Sequence, residues 1–231
     1  MQLREDASKR AGQTITQAVV TIPAYFEQEQ KLETELAASL AGLDLLRLIP
    51  EPTAASIAHL RMNPSFSAER LLVFDFGGGT LDISVLDRSQ SASEAEISVL
   101  AVTGNSTLGG DNFDEIVASY LHEQAARDGY IKPISKPKQL RKHQSRFLKQ
   151  ARKVKESLSF KAMAFAIVTG ILDGDDWEKA ISRAAVNRLF RPLLDGIPAL
   201  VTQALDLAGC TESSIDKVLL VGGSSRIPAV K

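Results

Sequence analysis

The chain has 231 residues and a mass of 25.0 kDa, which at roughly 150 residues per domain allows one large or two small units. Apolar residues make up 44%, charged residues 24% and aromatics 6%, a globular balance that excludes collagen-like, low-complexity and disordered classes. Lys plus Arg number 27 against 28 Asp plus Glu, a net charge of −1, which argues against a nucleic-acid binder and a membrane-surface protein. A single cysteine, Cys210, excludes an intrachain disulfide and points to a reducing compartment. No run approaches the roughly 20 apolar residues that span a bilayer. The charged N-terminus lacks the apolar core of a signal peptide, so a cytoplasmic location is expected.

Taken in chain order, residues 3–11 predict a short helix. Gln17 to Ile22 is β-rich and apolar on both faces, which predicts a buried central strand stopped by Pro23. Residues 27–41 carry Leu32, Leu36 and Leu40 at helical spacing, predicting a surface helix with one buried stripe and Gly42 at its end. Leu45 to Ile49 reads as a strand. Pro50 to Thr53 breaks the chain, and Ala54 to Leu60 resumes as helix. Such alternation spells an α/β fold. Asn63 to Glu69 is a turn-rich linker. Leu71 to Phe76 and Leu81 to Leu86 read as a hairpin with glycines at its turn. Arg88 to Glu94 reads as a loop tip, Ile97 to Thr103 as a strand, Gly104 to Asn112 as a loop and Phe113 to Ala126 as a helix.

Residues 127–138, with Gly129, Pro133 and Pro137, predict a loop. Residues 139–158 predict a long amphipathic helix with Leu140, Phe147, Leu148, Ala151, Val154 and Leu158 in its apolar stripe. Ala162 to Leu172 reads as a strand, Asp173 to Asp176 as a turn, and Ile181 to Leu207 as helix, broken near Pro192 and Pro198 and closed by Gly209. Lys217 to Val221 is a last buried strand. It runs into a glycine loop that opens another helix.

Three glycine loops follow strands: Asp75-Phe76-Gly77-Gly78-Gly79-Thr80, Leu108-Gly109-Gly110-Asp111 and Val221-Gly222-Gly223-Ser224-Ser225-Arg226. Glycine lets backbone approach a phosphate closely, and successive N–H groups make anion-binding concavities. Asp75 reads either as a turn-capping residue or as a carboxylate facing a phosphate-bound Mg²⁺ and its waters. Glu51, between two prolines, reads either as a helix N-terminal charge or as a second functional carboxylate. There is no Walker A and no dinucleotide-binding glycine fingerprint. His59, His122 and His143 lack metal-ligand spacing. Between Lys132 and Lys155 stand ten Lys or Arg and no acid; without interleaved aromatics this reads as a solvated helix face or one side of a nucleotide cleft.

Five segments together resemble the ATPase domain of the seventy-kilodalton heat-shock chaperones of the DnaK type. They are Val20-Thr21-Ile22-Pro23-Ala24-Tyr25-Phe26, Glu51-Pro52-Thr53-Ala54-Ala55, Phe74 to Asp82, Leu108 to Asp114 and Leu220 to Pro228. Order and spacing agree along essentially the whole chain. The resemblance implies an α/β, actin-like (ribonuclease H-like) ATPase fold: a mixed sheet flanked by helices, an incomplete first lobe, and a second lobe with a helical outer subdomain. On that reading residues 1–64 are a remnant of the first lobe base, 65–107 and 190–231 the second lobe base, and 108–189 its outer helical subdomain.

By the same resemblance, Gly77, Gly78, Gly79 and Thr80 form the second phosphate loop, and Gly109 and Gly110 contact the nucleotide. Lys155, Ser159, Gly222, Gly223, Ser224 and Arg226 hold the adenosine, with the arginine plane against the purine. Asp75 and Glu51 hold Mg²⁺ through water and orient the attacking water. Pro23 matches the family's interdomain switch proline. Three positions depart: Lys31 stands where a relay arginine is usual, Arg152 where an acidic ribose contact is usual, and Glu156 where an arginine is frequent. The family's first phosphate loop, its catalytic lysine and its closing acidic segment are not among the 231 residues. The implied protein is an N- and C-terminally truncated ATP/ADP- and Mg-binding chaperone module, weak or inactive as an ATPase alone. Its full-length parent folds proteins and meets a co-chaperone or nucleotide exchange factor; neither nucleic acid nor membrane is a partner. Homo-oligomers are expected through the truncated lobe. A non-enzymatic nucleotide-sensing scaffold and a small-molecule kinase of the actin superfamily are the competing readings.

Overall fold

The computed structural model describes residues 2–63, 70–90, 95–132, 136–172 and 174–231. Residues 64–69 of the expected linker Asn63 to Glu69, 91–94 of the loop tip Arg88 to Glu94, 133–135 of the loop 127–138 and Asp173 of the turn Asp173 to Asp176 lie outside them, and Arg88 to Gln90, expected in the loop tip, are strand. The described chain is mixed α/β, with helix-flanked sheets. It divides into two compact units. The first comprises Met1–Val73, Asp82–Thr103 and Ala204–Leu219, and the second Phe74–Leu81, Gly104–Gln203 and Leu220–Lys231.

The first unit opens with helix α1 (Gln2–Ala11), strand β1 (Gln17–Ile22), helix α2 (Gln28–Leu40), strand β2 (Asp44–Pro50) and helix α3 (Glu51–Met62). Strands β1 and β2 pair in parallel from Gln17–Asp44 to Ile22–Pro50, as a two-stranded sheet. β1 is therefore not the buried central strand that its composition predicts. Two strands cannot cover both faces of each other, so burial alternates, with Val19 exposed and Ile22 buried. The leucine stripe of α2 is likewise not buried: Leu32, Leu36 and Leu40 are exposed, and only Ala38 is covered. Glycine at position 42 takes φ +74, as the helix end requires. Helix α3 begins at Glu51 itself, because Pro52 in its first turn lacks a donor that no helical carbonyl would need there.

Strands β3 (Arg70–Phe76), β4 (Leu81–Gln90), β5 (Ala95–Asn105) and β8 (Lys217–Val221) form a sheet of order β5-β4-β3-β8. Leu71, Leu72, Val73, Ile83, Val85 and Leu86 supply the buried apolar side chains of the first unit's part of that sheet. β8 is not a buried strand, since Leu219 alone is covered while Val218 and Leu220 face outward at the sheet edge.

The second unit holds helix α4 (Gly110–Arg127), helix α5 (Pro137–Leu158), strands β6 (Met163–Leu172) and β7 (Asp175–Ser182), and helix α6 (Arg183–Leu194). Helix α7 (Ile197–Leu207) begins in this unit and ends in the first. α4 starts three residues earlier than its apolar pattern suggests. Asn112 explains this: its side-chain oxygen accepts the Gly109 N–H at 2.7 Å and caps the entry. α5 buries His143, Phe147, Ala151, Val154 and Leu158, whereas Leu140 and Leu148 of the expected stripe are half exposed. The strand β7 replaces what reads in sequence as turn and helix start. Trp177 and Ile181 point inward with the more exposed Glu178, Lys179 and Ala180 between them, and β6 pairs with the strand antiparallel. Gln150 of α5 covers the open edge of β6, its amide lying 3.2 and 3.1 Å from the Ile167 carbonyl and N–H.

Candidate functional site

The three glycine loops converge within the second unit. Their placement begins with an aromatic row. Phe76, the last residue of β3, stacks edge-on against Phe113 at 5.6 Å, and Phe113 in the first turn of α4 against Phe190 of α6 at 4.6 Å. All three rings are buried, so the residue before the first loop and the helix after the second are fixed to one core.

Backbone bonds then tie loop to loop. The N–H groups of Gly110 and Asp111 donate to the carbonyls of Gly77 and Gly78, at 3.0 and 2.7 Å. Ser224 Oγ, from the third loop, donates to the Gly77 carbonyl at 2.7 Å. The Gly77 N–H closes its own turn on the Thr80 carbonyl at 2.9 Å. The approach leaves no room for a side chain at Gly109, Gly110 or Gly222, while Gly78, Gly79 and Gly223 have open space. A Cβ on Gly109 would strike the backbone of Gly78 and Gly79. One on Gly110 would lie 2.9 Å from Ser224 Oγ and 3.2 Å from Lys155 Nζ. Gly222 has φ +83, and a Cβ there would strike the Phe76 carbonyl and sit 2.8 Å from Asp75 Oδ1. Gly78 and Gly79 remain exposed.

Charges line the same place. Asp114, its carboxylate 1% exposed, pairs with Lys155 at 2.7 Å and with Arg152 Nε at 2.9 Å. Arg152 also reaches Asp111 at 2.9 Å. Hydrogen bonding and attraction from Asp114, then the nearby Asp111 and Glu156, raise the Arg152 guanidinium above its ordinary value. Lys155 Nζ donates to the Gly110 carbonyl at 2.9 Å. A hollow of about 280 Å³ is lined by Gly77, Gly78, Gly110, Lys155, Ser159 and Ser224 together with the charged residues. A second, of about 730 Å³, is lined by Glu156, Ser159, Phe160, Gly222, Gly223 and Arg226 among others.

Asp75 is the penultimate residue of β3 and half buried, its carboxylate against Gly222. Glu51 lies in the first unit, at the start of α3. There it and Asp82 act electrostatically on Tyr25, whose phenol is raised, first by burial and then by these two carboxylates. Gly223 precedes a single 3-10 turn, Ser224–Arg226, where the sequence reads as the opening of a helix. Asp114 has a larger part than its sequence suggests. The available signal was its spacing from Asp111, three residues on, which puts both carboxylates on one helix face toward Arg152. Among the described residues no group of three or more His, Cys, Asp and Glu gathers to hold a metal, and no helix is long and apolar enough to cross a membrane. Asp75, half buried with its carboxylate against Gly222, is an oxygen donor of the kind that holds a magnesium ion through water.

Close-packed glycine loops from distant strands, beside a paired lysine, define a helix-flanked α/β protein with a pocket walled by glycine backbone and paired charges. Comparison with known proteins narrows the class. The family model described as "Hsp70 protein" matches residues 1–231, and the chain belongs to the Hsp70 family. It is 39% identical over 229 residues to the stromal 70 kDa heat shock-related protein, chloroplastic, of Spinacia oleracea. It is 38% identical over 230 residues to the chaperone protein dnaK of Cyanidioschyzon merolae. Each alignment covers 99% of this chain and 37% of the relative, so the chain spans little over a third of the curated relatives' length.

Proposed function

We propose that this chain is the ATP- and ADP-binding module of a heat-shock-type molecular chaperone with the actin-like ATPase fold, whose full-length parent folds proteins by ATP hydrolysis. The observation that carries the reading is the convergence of three glycine loops beside Lys155, with no room for a side chain at Gly109, Gly110 or Gly222. In it, Gly77, Gly78, Gly79 and Thr80 take phosphates, with Gly109 and Gly110 against them. Ser159, Gly222, Gly223 and Ser224 shape the adenosine pocket, and Arg226 lies against the purine, a planar cation on a planar base. Lys155 is held in place by Asp114 and the Gly110 carbonyl. A bound Mg²⁺ supplies charge neutralisation to the phosphates. By the family resemblance, Asp75 and Glu51 are the carboxylates that would hold such an ion through water and orient the attacking water.

The division into 1–64, 65–107 with 190–231, and 108–189 follows the same reading, as does a cytoplasmic location. A co-chaperone or nucleotide exchange factor acts on the parent. On this reading hydrolysis by this chain alone is weak or absent. Calorimetric titration with MgADP and MgATP tests the reading: saturable binding that Arg226→Ala abolishes supports it, and no binding at millimolar nucleotide removes it.

A further inference from the structure

The two-stranded sheet of β6 and β7 packs one face inward and leaves the other uncovered. Ala164, Ala166 and Val168 of β6 and Trp177 and Ile181 of β7 are buried. The alternate side chains of β6 face out: Met163, Phe165 and Ile167 are 54%, 63% and 44% exposed. An antiparallel strand with one solvated face normally turns polar residues outward, so an unbroken apolar row there marks an interaction surface. Opposite these three in the ladder stand Ser182, Ala180 and Glu178 of β7, on the same face. Ala180 is small and exposed, so the Phe165 ring stands above its neighbour beside a recess. Opposite charges border the row. On the β6 side, Gln150 of α5 closes the strand edge at Ile167, and Lys149 and Lys153 next to it on the helix are exposed. On the β7 side Glu178 is exposed. Among the described residues none of these three charges makes an ion pair.

We propose that this face binds a second copy of the chain, sheet against sheet, across a two-fold axis running along the strands between β6 and β7. Such an axis lays β6 of each copy over β7 of the other at the same height along the strands. Phe165 of each copy then enters the recess at Ala180 of the other, because these two residues are paired in the ladder. Lys149 and Lys153 of each copy come to the side that carries Glu178 of the other. The symmetry makes each contact twice. Cations on one side of an apolar row and an acid on the other are complementary to the same face turned over, whereas a partner of uniform charge would meet one side unfavourably. All these residues lie in the second unit, so the contact is independent of the exposed leucines of α2, and it involves neither the glycine loops nor a nucleotide.

Sedimentation velocity over a concentration series tests this, on a chain carrying Leu32→Glu and Leu36→Glu so that the first unit's leucines do not contribute. A dimer in reversible equilibrium with monomer is expected. Phe165→Asp is expected to weaken it at least ~10-fold, as loss of an interfacial aromatic anchor does. Glu178→Lys in one chain, and Lys149→Glu with Lys153→Glu in another, each set like charges face to face, and each is expected to be monomeric where the background chain is dimeric. Mixed in equal amounts, these two variants are expected to form a one-to-one dimer, because both contacts are then complementary. Restored association also shows that both variants are folded. A background chain that stays monomeric at high concentration overturns the proposal. A dimer that Phe165→Asp and both charge variants leave intact lies elsewhere on the molecule and overturns it equally. A mixture that stays monomeric overturns the pairing of Glu178 with the two lysines, and the two-fold arrangement with it.

Discussion

Asp114 serves two cations with one carboxylate. Its two oxygens hold Lys155 and Arg152 from α5 against the first turn of α4. Because that carboxylate is almost fully covered, its charge depends on both partners for compensation. The glycines beside it are fixed by contact and not by dihedral angle alone: Gly109 is extended, yet a Cβ there meets Gly78 and Gly79 backbone. Gly109→Ala is expected to cost about 1–3 kcal/mol, as overpacking does, and to weaken any ligand held by these loops. Gly79→Ala, with nothing within 4 Å, is expected to stay within roughly 0.5 kcal/mol of the parent. Urea denaturation of the pair checks this, and equal losses would mean that the loops do not touch as described.

At the scale of elements, α5 is held to its neighbours by an aromatic cluster with a titratable member. His143 packs against Phe147 at 5.0 Å and His122 at 5.4 Å, and its Nε2 is buried without a hydrogen-bond partner. Burial first, then the proximity of His122 and Arg146, push its imidazole below the ordinary 6.5. The unfolded chain therefore binds this proton more readily than the folded one. The linked stability is complete above the unfolded value, and is lost as pH falls from there through the lowered native value. Thermal midpoints measured between neutral and mildly acidic pH are expected to fall in the parent and to fall less in His143→Phe. That variant also removes the unpartnered nitrogen and should be neutral or slightly stabilising above that range. Identical slopes would show that α5 loosens before His143 titrates. Asp128 has the same sign at lower pH: its carboxyl is held below the ordinary 3.8, and the stability it contributes is likewise lost on acidification. The Trp177 indole N–H and Lys179 hold its carboxyl low, so this link from α4 to β7 lasts until strongly acidic pH.

The whole molecule carries an uncovered apolar surface on its first unit. Val19 of β1, Leu46 of β2 and Leu32, Leu36 and Leu40 of α2 are all exposed, several by more than half. Such a surface favours association. Light scattering is expected to show dimers or larger species, and Leu32→Glu with Leu36→Glu to shift them toward monomer with little change in folding stability. A monomeric parent at high concentration would mean that these leucines are tolerated by water singly and drive nothing.

Much of the fold and candidate site could be read from residue order, because local physics writes it there. Glycine and proline mark the ends of α2 and the start of α3. The β-branched and aromatic runs give β3 and β4, and the glycine loops and the five motifs of the family are contiguous strings. Burial was not legible for β1, α2 and β8. An apolar strand or stripe states what it would bury, and only the neighbours present in space decide whether it does. β7 was hidden for a related reason. Its alternation is short and polar between Trp177 and Ile181, and pairing with β6 is what makes it a strand. The sequence by itself determined the family and the glycine loops, since both reside in consecutive residues. Only the tertiary structure decided that three loops, at residues 77–80, 108–111 and 221–226, close on one another, that Asp114 holds Lys155 and Arg152, and that Glu156 and Arg226 line one hollow. Those relations exist only between segments that the core brings together.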